Sequence, residues 1–500
     1  MPATYTHKFE TPVYSGVVTI NTGLFIGNKW IDPAEGKTIE VTNPATGKAI
    51  TAVSIGTSQD VDVAVKAAEE AYKTSWGLHC SGRERGRLLY KLAELMERDI
   101  DALTALEALN SGKVFGVTKY WDLDIAISTI RYYAGWADKI QGKTIETTDS
   151  KFIYSRHEPY GVVGQIVPWN FPLLLLTWKI GPALAAGNTV ILKPSEITPL
   201  SALKMAELVT EAGFPPGVVN IINGYGDEVG QALSEHPRIR KIAFTGSTVV
   251  GRKILKASAE TNLKDVTLEL GGKSPSVVFD DADLEKAVRW TSQGIFANMG
   301  QVCTAGSRIF VQEGIYDAFL EKFVQVAQGL TENTGDPFAE GTLHGPQISQ
   351  TQFNRVMSYI ESGKSQGAKV LLGGERHGNE GYFIKPTIIT DVHSDMKLVR
   401  DEIFGPVCTL IKFNTEEEVI EQANDTEYGL ACHIFTENIT RAIRISSAIE
   451  AGTAWVNCAQ VPDTAAPFGG YKQSGMGREG GEYALATYTQ VKGVHINLGA

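Results

Sequence analysis

One cysteine of this chain stands among small residues: positions 298–306 read Asn298-Met299-Gly300-Gln301-Val302-Cys303-Thr304-Ala305-Gly306. A thiolate is a strong nucleophile that bonds covalently to electrophilic carbon, and a setting without bulky neighbours leaves it reachable. An isolated cysteine can equally be a small buried hydrophobe without reactivity. The spacing around Cys303 alone does not separate these readings.

Glycine turns form a second group of residues that could do chemistry. Gly224-Tyr225-Gly226-Asp227-Glu228-Val229-Gly230 follows a strand pattern and opens a helix, one residue too long for the dinucleotide fingerprint. Phe244-Thr245-Gly246-Ser247-Thr248 also ends a strand and begins a helix, where free backbone N–H groups can receive a phosphate. Each alone is also an ordinary strand-to-helix turn. Together in one sheet they favour a dinucleotide. Lys193-Pro194-Ser195-Glu196 closes another strand at the edge where an adenine ribose usually lies. A carboxylate there accepts hydrogen bonds from a 2′-hydroxyl and repels a 2′-phosphate, which favours NAD over NADP. The alternative is that Lys193 and Glu196 are solvated loop charges. The one literal GxGxxG, Gly475-Met476-Gly477-Arg478-Glu479-Gly480, is followed by too little chain for a βαβ unit and is set aside.

The elements that must position these residues read as α/β. From residue 161 onward, GVVGQIVP and TVILKP are buried strands separated by an apolar helix, and their branched residues suit a parallel sheet. Thr198 and Pro199 are expected as N-cap and first residue of a helix carrying Leu200, Leu203, Leu208, Val209 and Ala212 inward, with Gly213 as its left-handed cap. VVNIIN, KIAFTG and VTLEL supply further strands of a doubly wound sheet. A second cycle begins with a helix at Leu284 that runs into the cysteine segment, followed by strands RIFVQ, AKVLLGG, CTLIKF and TAWVNC. Residues 143–159 read as a projecting hairpin, and Val494-His495-Ile496-Asn497-Leu498 as a lone half-buried strand. These two are expected to meet in a sheet between subunits.

With 500 residues the chain can bury more than one core, so two principal domains are expected. The charge of −11, with no basic run, repels a phosphate backbone and an anionic membrane. The most apolar passage, Phe171 to Ala186, is interrupted by Pro172, Lys179 and Pro182 and suits a soluble core rather than a membrane span. Five scattered cysteines without CxxC suggest neither a disulfide framework nor a zinc site. A reducing compartment, and with no targeting pattern in MPATYTHKFETPVYSG the cytoplasm, is the expectation. No metal-ligand spacing is seen.

Seven segments in order resemble the signature of NAD(P)-dependent aldehyde dehydrogenases: Pro168-Trp169-Asn170-Phe171-Pro172, Lys193-Pro194-Ser195-Glu196, Phe244-Thr245-Gly246-Ser247-Thr248, Glu269-Leu270-Gly271-Gly272-Lys273, Gly300-Gln301-Val302-Cys303, Glu402-Ile403-Phe404-Gly405-Pro406 and Pro467-Phe468-Gly469-Gly470-Tyr471-Lys472. The resemblance spans nearly the whole chain. It implies Cys303 as nucleophile, with Gly300 and Gly306 leaving room for substrate and nicotinamide. Asn170 and the Cys303 N–H become oxyanion donors, Glu269 the base that hydrolyses the thioester, and Lys179 an aid to proton movement. For the cofactor it implies Ile166 and Trp169 on the adenosine side, then Lys193, Ser195, Glu196, Gly226, Gly246, Ser247 and Leu270. Gln352, Glu402 and Phe404 are implied at the nicotinamide ribose. NAD is favoured, and NADP is the alternative.

The same resemblance divides the chain into a cofactor domain (1–141 and 160–270), a catalytic domain (271–478) and an oligomerisation element (142–159 and 479–500), built as a dimer or tetramer. It lines an aldehyde tunnel with Phe171, Leu174, Trp178, Phe296, Phe468 and the segment from Cys458. Small residues at Ala297, Ala459 and Pro462, where relatives carry rings, are expected to widen the tunnel for a bulky or long aldehyde. Competing classes are a CoA-acylating dehydrogenase, a cysteine esterase and a noncatalytic binding protein on the same fold.

Overall fold

The computed structural model describes residues 3–499. Its largest sheet runs in the order Gly475–Met476, Asp265–Glu269, Lys241–Thr245, Val162–Ile166, Thr189–Lys193, Val219–Ile221, Leu24–Ile26, Lys29–Ile31. The five middle strands are mutually parallel and the flanking ones antiparallel. The chain starts at Val162–Ile166, moves outward through two strands, then returns to the other side at Lys241–Thr245. Ile166 and Thr245 therefore end adjacent strands where winding reverses, the place at which doubly wound sheets leave a crevice.

The second sheet orders Lys369–Leu372, Thr387–Thr390, Val407–Phe413, Arg308–Gln312, Pro275–Val278, Ala431–Phe435, Thr453–Val456, and all pairs but the first are parallel. All strands expected from sequence are present. Between the sheets the chain crosses at Leu270-Gly271-Gly272-Lys273-Ser274. The crossing is not the only tie, because Gly475–Met476 comes back to pair with Asp265–Glu269. A segment expected within the catalytic unit thus closes the edge of the first sheet.

The helix Pro172–Ala186 is buried on almost every side, since it lies between the first sheet and the helices Gly82–Arg98 and Asp124–Trp136. Pro172 starts it, and Gly187 at φ 94° ends it in the left-handed conformation that glycine tolerates. The helix Leu200–Ala212 ends at Gly213 with φ 89° as expected. Its start differs: Thr198 does not cap it, and its hydroxyl is buried without a partner. Pro199 takes the N-cap position with helical dihedrals, because the carbonyl of Pro199 accepts from Leu203.

The hairpin exists as Thr144–Ile145 and Lys151–Pro159, and Thr489–Asn497 meets it as expected, though within one chain. That strand pairs antiparallel with Lys151–Pro159 of the same chain over its full length, from Thr489 opposite Pro159 to Asn497 opposite Lys151. These nine residue pairs occupy one edge of the strand, and its other edge forms the border of the three-stranded sheet.

Candidate active site

Glu269 is the last residue of its strand. Its backbone is held between Thr245 on one side and Gly475 on the other, and its carbonyl accepts from Gly246 N at 3.0 Å. The two glycines after Leu270 bring the rest of the site to it. A side chain on Gly272 would collide with the backbone carbonyl of Cys303, and one on Gly271 would meet the Glu402 carboxylate at 2.6 Å. Gly469 is needed likewise, since its Cβ would lie 2.9 Å from Glu269 Oε1. Glycine is the only residue that allows these close approaches.

The cysteine segment leaves the helix Leu284–Phe296 through a left-handed turn: Asn298 has φ 46°, Met299 φ 56° and Gly300 φ 72°. Left-handed conformation at two successive non-glycine residues is costly and needs outside support. Gln347 Nε2 supplies it by donating to Met299 O at 3.1 Å, and Ile348 N donates to Gln301 Oε1 at 2.9 Å. Gly300 and Gly306 do not serve as open space for substrate. The room beside Gly300 is filled by the carbonyl of Gly405, and that beside Gly306 by Ser276 and His433. These glycines let protein backbone and side chains pack against the loop.

Cys303 is partly exposed. Desolvation by the surrounding atoms, helped by the nearby Glu269 and Glu402 carboxylates, pushes its thiol up to about 12 against a smaller opposing effect of the Cys303 and Thr304 N–H groups. Asn170 is 5% exposed, and its Nδ2 donates to Gln301 O at 3.0 Å. A primary amide carries two N–H groups, so one anchors the side chain and the second is left to serve a ligand.

Glu269 is buried, and its Oε2 has no partner. Burial raises its proton affinity well above that of an ordinary glutamate; Glu479 raises it further, while Lys179 and Arg478 oppose. Lys179 is not a solvated lysine: it is 1% exposed and lies 2.6 Å from Glu479 Oε1. Glu479 was missed from sequence because it sits in the glycine run set aside as a false fingerprint. A lysine inside the apolar run Phe171–Ala186 did require a counter-charge, but nothing local says which.

The expected cofactor residues gather at the C-terminal edge of the first sheet. The side chains of Ile166 and Lys193 both approach Gly230, at the end of the turn that Gly226 opens. Lys193 Nζ donates to Pro194 O at 3.0 Å and Glu196 Oε2 at 3.2 Å, so these charges are paired and Lys193 is buried. Ser195 is buried beside them. Gly246 and Ser247 precede the helix Thr248–Glu260, whose first turn has no acidic residue, and Thr245 Oγ1 is buried without a partner beside it. Leu270 lies against Gly251 of that helix. A phosphate-bearing dinucleotide fits these features: a helix N-terminus with no local anion, an orphan hydroxyl and a crevice at the switch point.

Trp169 packs edge-on against Phe404 with ring centroids 5.2 Å apart. Gln352 Nε2 donates to Phe404 O at 2.7 Å and Ile403 O at 3.4 Å. It supports Phe404, whose φ of 60° is strained for a ring-bearing residue. Arg355 donates to Glu402 O at 2.9 Å from the same helix. Glu402 Oε1 accepts from Gly272 N at 2.9 Å, and desolvation raises its carboxyl to about 7 despite that bond.

The substrate-pocket residues divide. Trp178, Pro462 and Phe468 line a cavity of about 70 Å³ together with Tyr133, Trp455 and Thr453. Phe171 and Leu174 are buried in the core around the helix Pro172–Ala186, and Phe296 stacks on Phe323. Ala459 is fully buried beside Gly294, and Ala297 stands at the end of the helix Leu284–Phe296. Trp455, which also lines the cavity, donates from Nε1 to Val461 O at 3.0 Å. Among the described residues no cluster of metal-binding side chains occurs, and no helix is long and apolar enough to cross a membrane.

The sequence pattern described as the aldehyde dehydrogenase family matches residues 30–494. An aldehyde dehydrogenase of Agaricus bisporus is 61% identical over 498 residues, covering 100% of this chain and 99% of that one. One from Emericella nidulans is 57% identical, covering 98% and 97%. The solved NAD+ complex of a Bacillus cereus aldehyde dehydrogenase superposes with a TM-score of 0.94 at 48% identity, over 96% of this chain and 97% of that one.

Proposed function

Because the chain belongs to the aldehyde dehydrogenase family, we propose that it oxidises an aldehyde to the carboxylic acid with NAD, through a covalent thioester on Cys303. The observation that carries this reading is the meeting of Cys303 and Glu269 across Gly271 and Gly272, with Asn170 anchored beside them.

Once the Cys303 thiol has lost its proton to solvent, attack of the thiolate on the aldehyde carbon forms a thiohemiacetal whose negative charge rests on oxygen. The free N–H of the Asn170 amide and the Cys303 backbone N–H receive that charge, each such donor contributing about 3 kcal/mol in the transition state. Nicotinamide, when bound, supplies the acceptor for the hydride released as the carbonyl re-forms. Ile166, Lys193, Ser195, Glu196 and the Gly226 turn would hold the adenosine half, Gly246 and Ser247 the phosphates, and Glu402 with Phe404 the nicotinamide ribose. Glu196 favours NAD over NADP, since its carboxylate suits a ribose hydroxyl. Glu269 then takes a proton from water, which attacks the thioester carbon and frees the acid and the thiol. Its raised proton affinity makes it a stronger base than an ordinary glutamate. Lys179 holds Glu479 in place and thereby tunes Glu269.

The substrate in this reading has an apolar body longer than acetaldehyde. Support comes from the four rings of Tyr133, Trp178, Trp455 and Phe468 around the cavity, not from the small residues at 297 and 459. The assembly is read as a cytoplasmic homo-oligomer, supported by exposed apolar side chains on Val249, Val250, Val491 and Ile496.

The test is NADH formation from a panel of aliphatic and ring-bearing aldehydes with NAD and with NADP, repeated with Cys303→Ala. NADH-forming turnover by the alanine variant at the parent rate would remove the thioester from the reaction. Acyl transfer to added CoA in place of acid formation would transfer the chain to the acylating class, and a clear preference for acetaldehyde would refute the substrate assignment.

A further inference from the structure

Far from the sulfur in sequence, Lys113 is 5% exposed and carries an ammonium group into the protein interior. It forms an ion pair there with Asp122, itself 1% exposed, and stands 3.6 Å from the ring centroid of Phe171. Its remaining identified hydrogen bond goes to the backbone carbonyl of Asn170 at 2.9 Å. That carbonyl accepts a second bond, at 3.0 Å, from Asn298 Nδ2, the first residue of the left-handed turn before the nucleophile. Asn298 also donates to Gln301 O at 3.2 Å, the carbonyl to which the Asn170 side chain is anchored.

Two features show that the fold is shaped for this contact. Asp122 lies in a π-helical turn, Thr118–Leu123, a rare conformation that is found mostly at functional sites. Gly112, just before Lys113, is pressed against Pro346 and Pro44 at φ 74°, and its carbonyl lies against Gly345. The segment that holds Lys113 therefore abuts the 345–348 segment, which supports Met299 and Gln301 through Gln347 and Ile348. A buried ion pair costs desolvation that apolar side chains of the same volume would avoid, so core stability alone does not explain it.

We propose that Lys113, fixed by Asp122, is a positioning residue for the reaction: with Asn298 it clamps the Asn170 carbonyl and so fixes the angle at which the Asn170 amide meets the developing oxyanion. The inference rests on the reading of Asn170 as an oxyanion donor. Lys113 touches neither substrate nor cofactor in this role. It acts through one peptide group, and displacement of a donor by a fraction of a bond length lowers the chemical step without weakening substrate binding.

The experiment is a double-mutant cycle between Lys113→Met/Asp122→Leu/Glu107→Gln, which removes the pair together with the buried Glu107 carboxylate that Lys113 also faces, and Asn170→Ala. Asn298→Gly is the second probe, because glycine keeps the left-handed turn but lacks the donor. The expected result is a fall of roughly 10- to 100-fold in kcat, with aldehyde KM and NADH affinity within about two-fold of the parent. In the Asn170→Ala background the same changes should cost almost nothing further, since the group they position is gone. Equal losses in both backgrounds would overturn the proposal, as would parent kcat in both probes. If the charge-pair variant does not fold, the Asn298→Gly cycle decides alone by the same criterion. Parent kcat in Asn170→Ala itself would overturn both the donor reading and the inference, whereas a strong loss there with additive effects of the probes would sink only the inference.

Discussion

Lys179 Nζ and Glu479 Oε1 lie 2.6 Å apart inside the protein, and their charges act on Glu269 in opposite senses. The pair joins the helix Pro172–Ala186 to the segment that returns to the first sheet, and its balance sets how tightly Glu269 holds a proton.

A base works only when deprotonated, so deacylation is lost as pH falls through the pKa of Glu269. Glu479 raises that pKa and Lys179 lowers it. Glu479→Gln should therefore move the acidic limb of the kcat profile to lower pH, and Lys179→Met should move it to higher pH. Steady-state rates across the pH range check this. A shift of both limbs in the same direction would refute the arrangement.

Glu269→Gln removes the base but leaves the thiol and its oxyanion donors. With NAD and aldehyde the variant should release about one equivalent of NADH per subunit and then stall. Intact-mass measurement should find the acyl group retained. Sustained turnover near the parent rate would assign deacylation to another group.

With its thiol pushed up to about 12 by desolvation and the Glu269 and Glu402 charges, Cys303 should react slowly with iodoacetamide in the cofactor-free enzyme. The alkylation rate should climb without levelling between roughly pH 7 and 10, because only the thiolate reacts. A plateau in that range would mean a thiol of ordinary or lowered pKa.

Gln352 holds the carbonyls of Ile403 and Phe404. Gln352→Ala should loosen the strained Phe404 and raise the KM for the dinucleotide about ten-fold, the usual worth of a lost buried hydrogen bond. The aldehyde KM should move little. Equal changes in both constants would argue for general loosening of the fold.

What the sequence revealed follows a physical rule about range. The strands Val162–Ile166, Thr189–Lys193 and Lys241–Thr245 announce themselves by branched apolar runs, and Gly213 marks its helix end by its own backbone freedom. Cys303, Glu269 and Asn170 were legible as parts of short ordered segments. Their partners were not: Glu479 meets Lys179, and Lys113 meets Asn170, through contacts that only the folded chain creates. Glycine roles were misread for the same reason, since Gly300 and Gly306 face protein that lies elsewhere in sequence. Trp455 and Thr453 of the cavity wall were not expected, because the strand Thr453–Val456, which precedes the 459–468 segment, brings them there.

The antiparallel union of Lys151–Pro159 with Thr489–Asn497, together with the return of Gly475–Met476 to Asp265–Glu269, orders events during synthesis. A ribosome delivers the sulfur and its base well before it delivers the strand that flanks that base or the counter-charge to Lys179. A growing chain therefore carries Cys303 and Glu269 in an unfinished chamber, and a stretch translated later closes it around them.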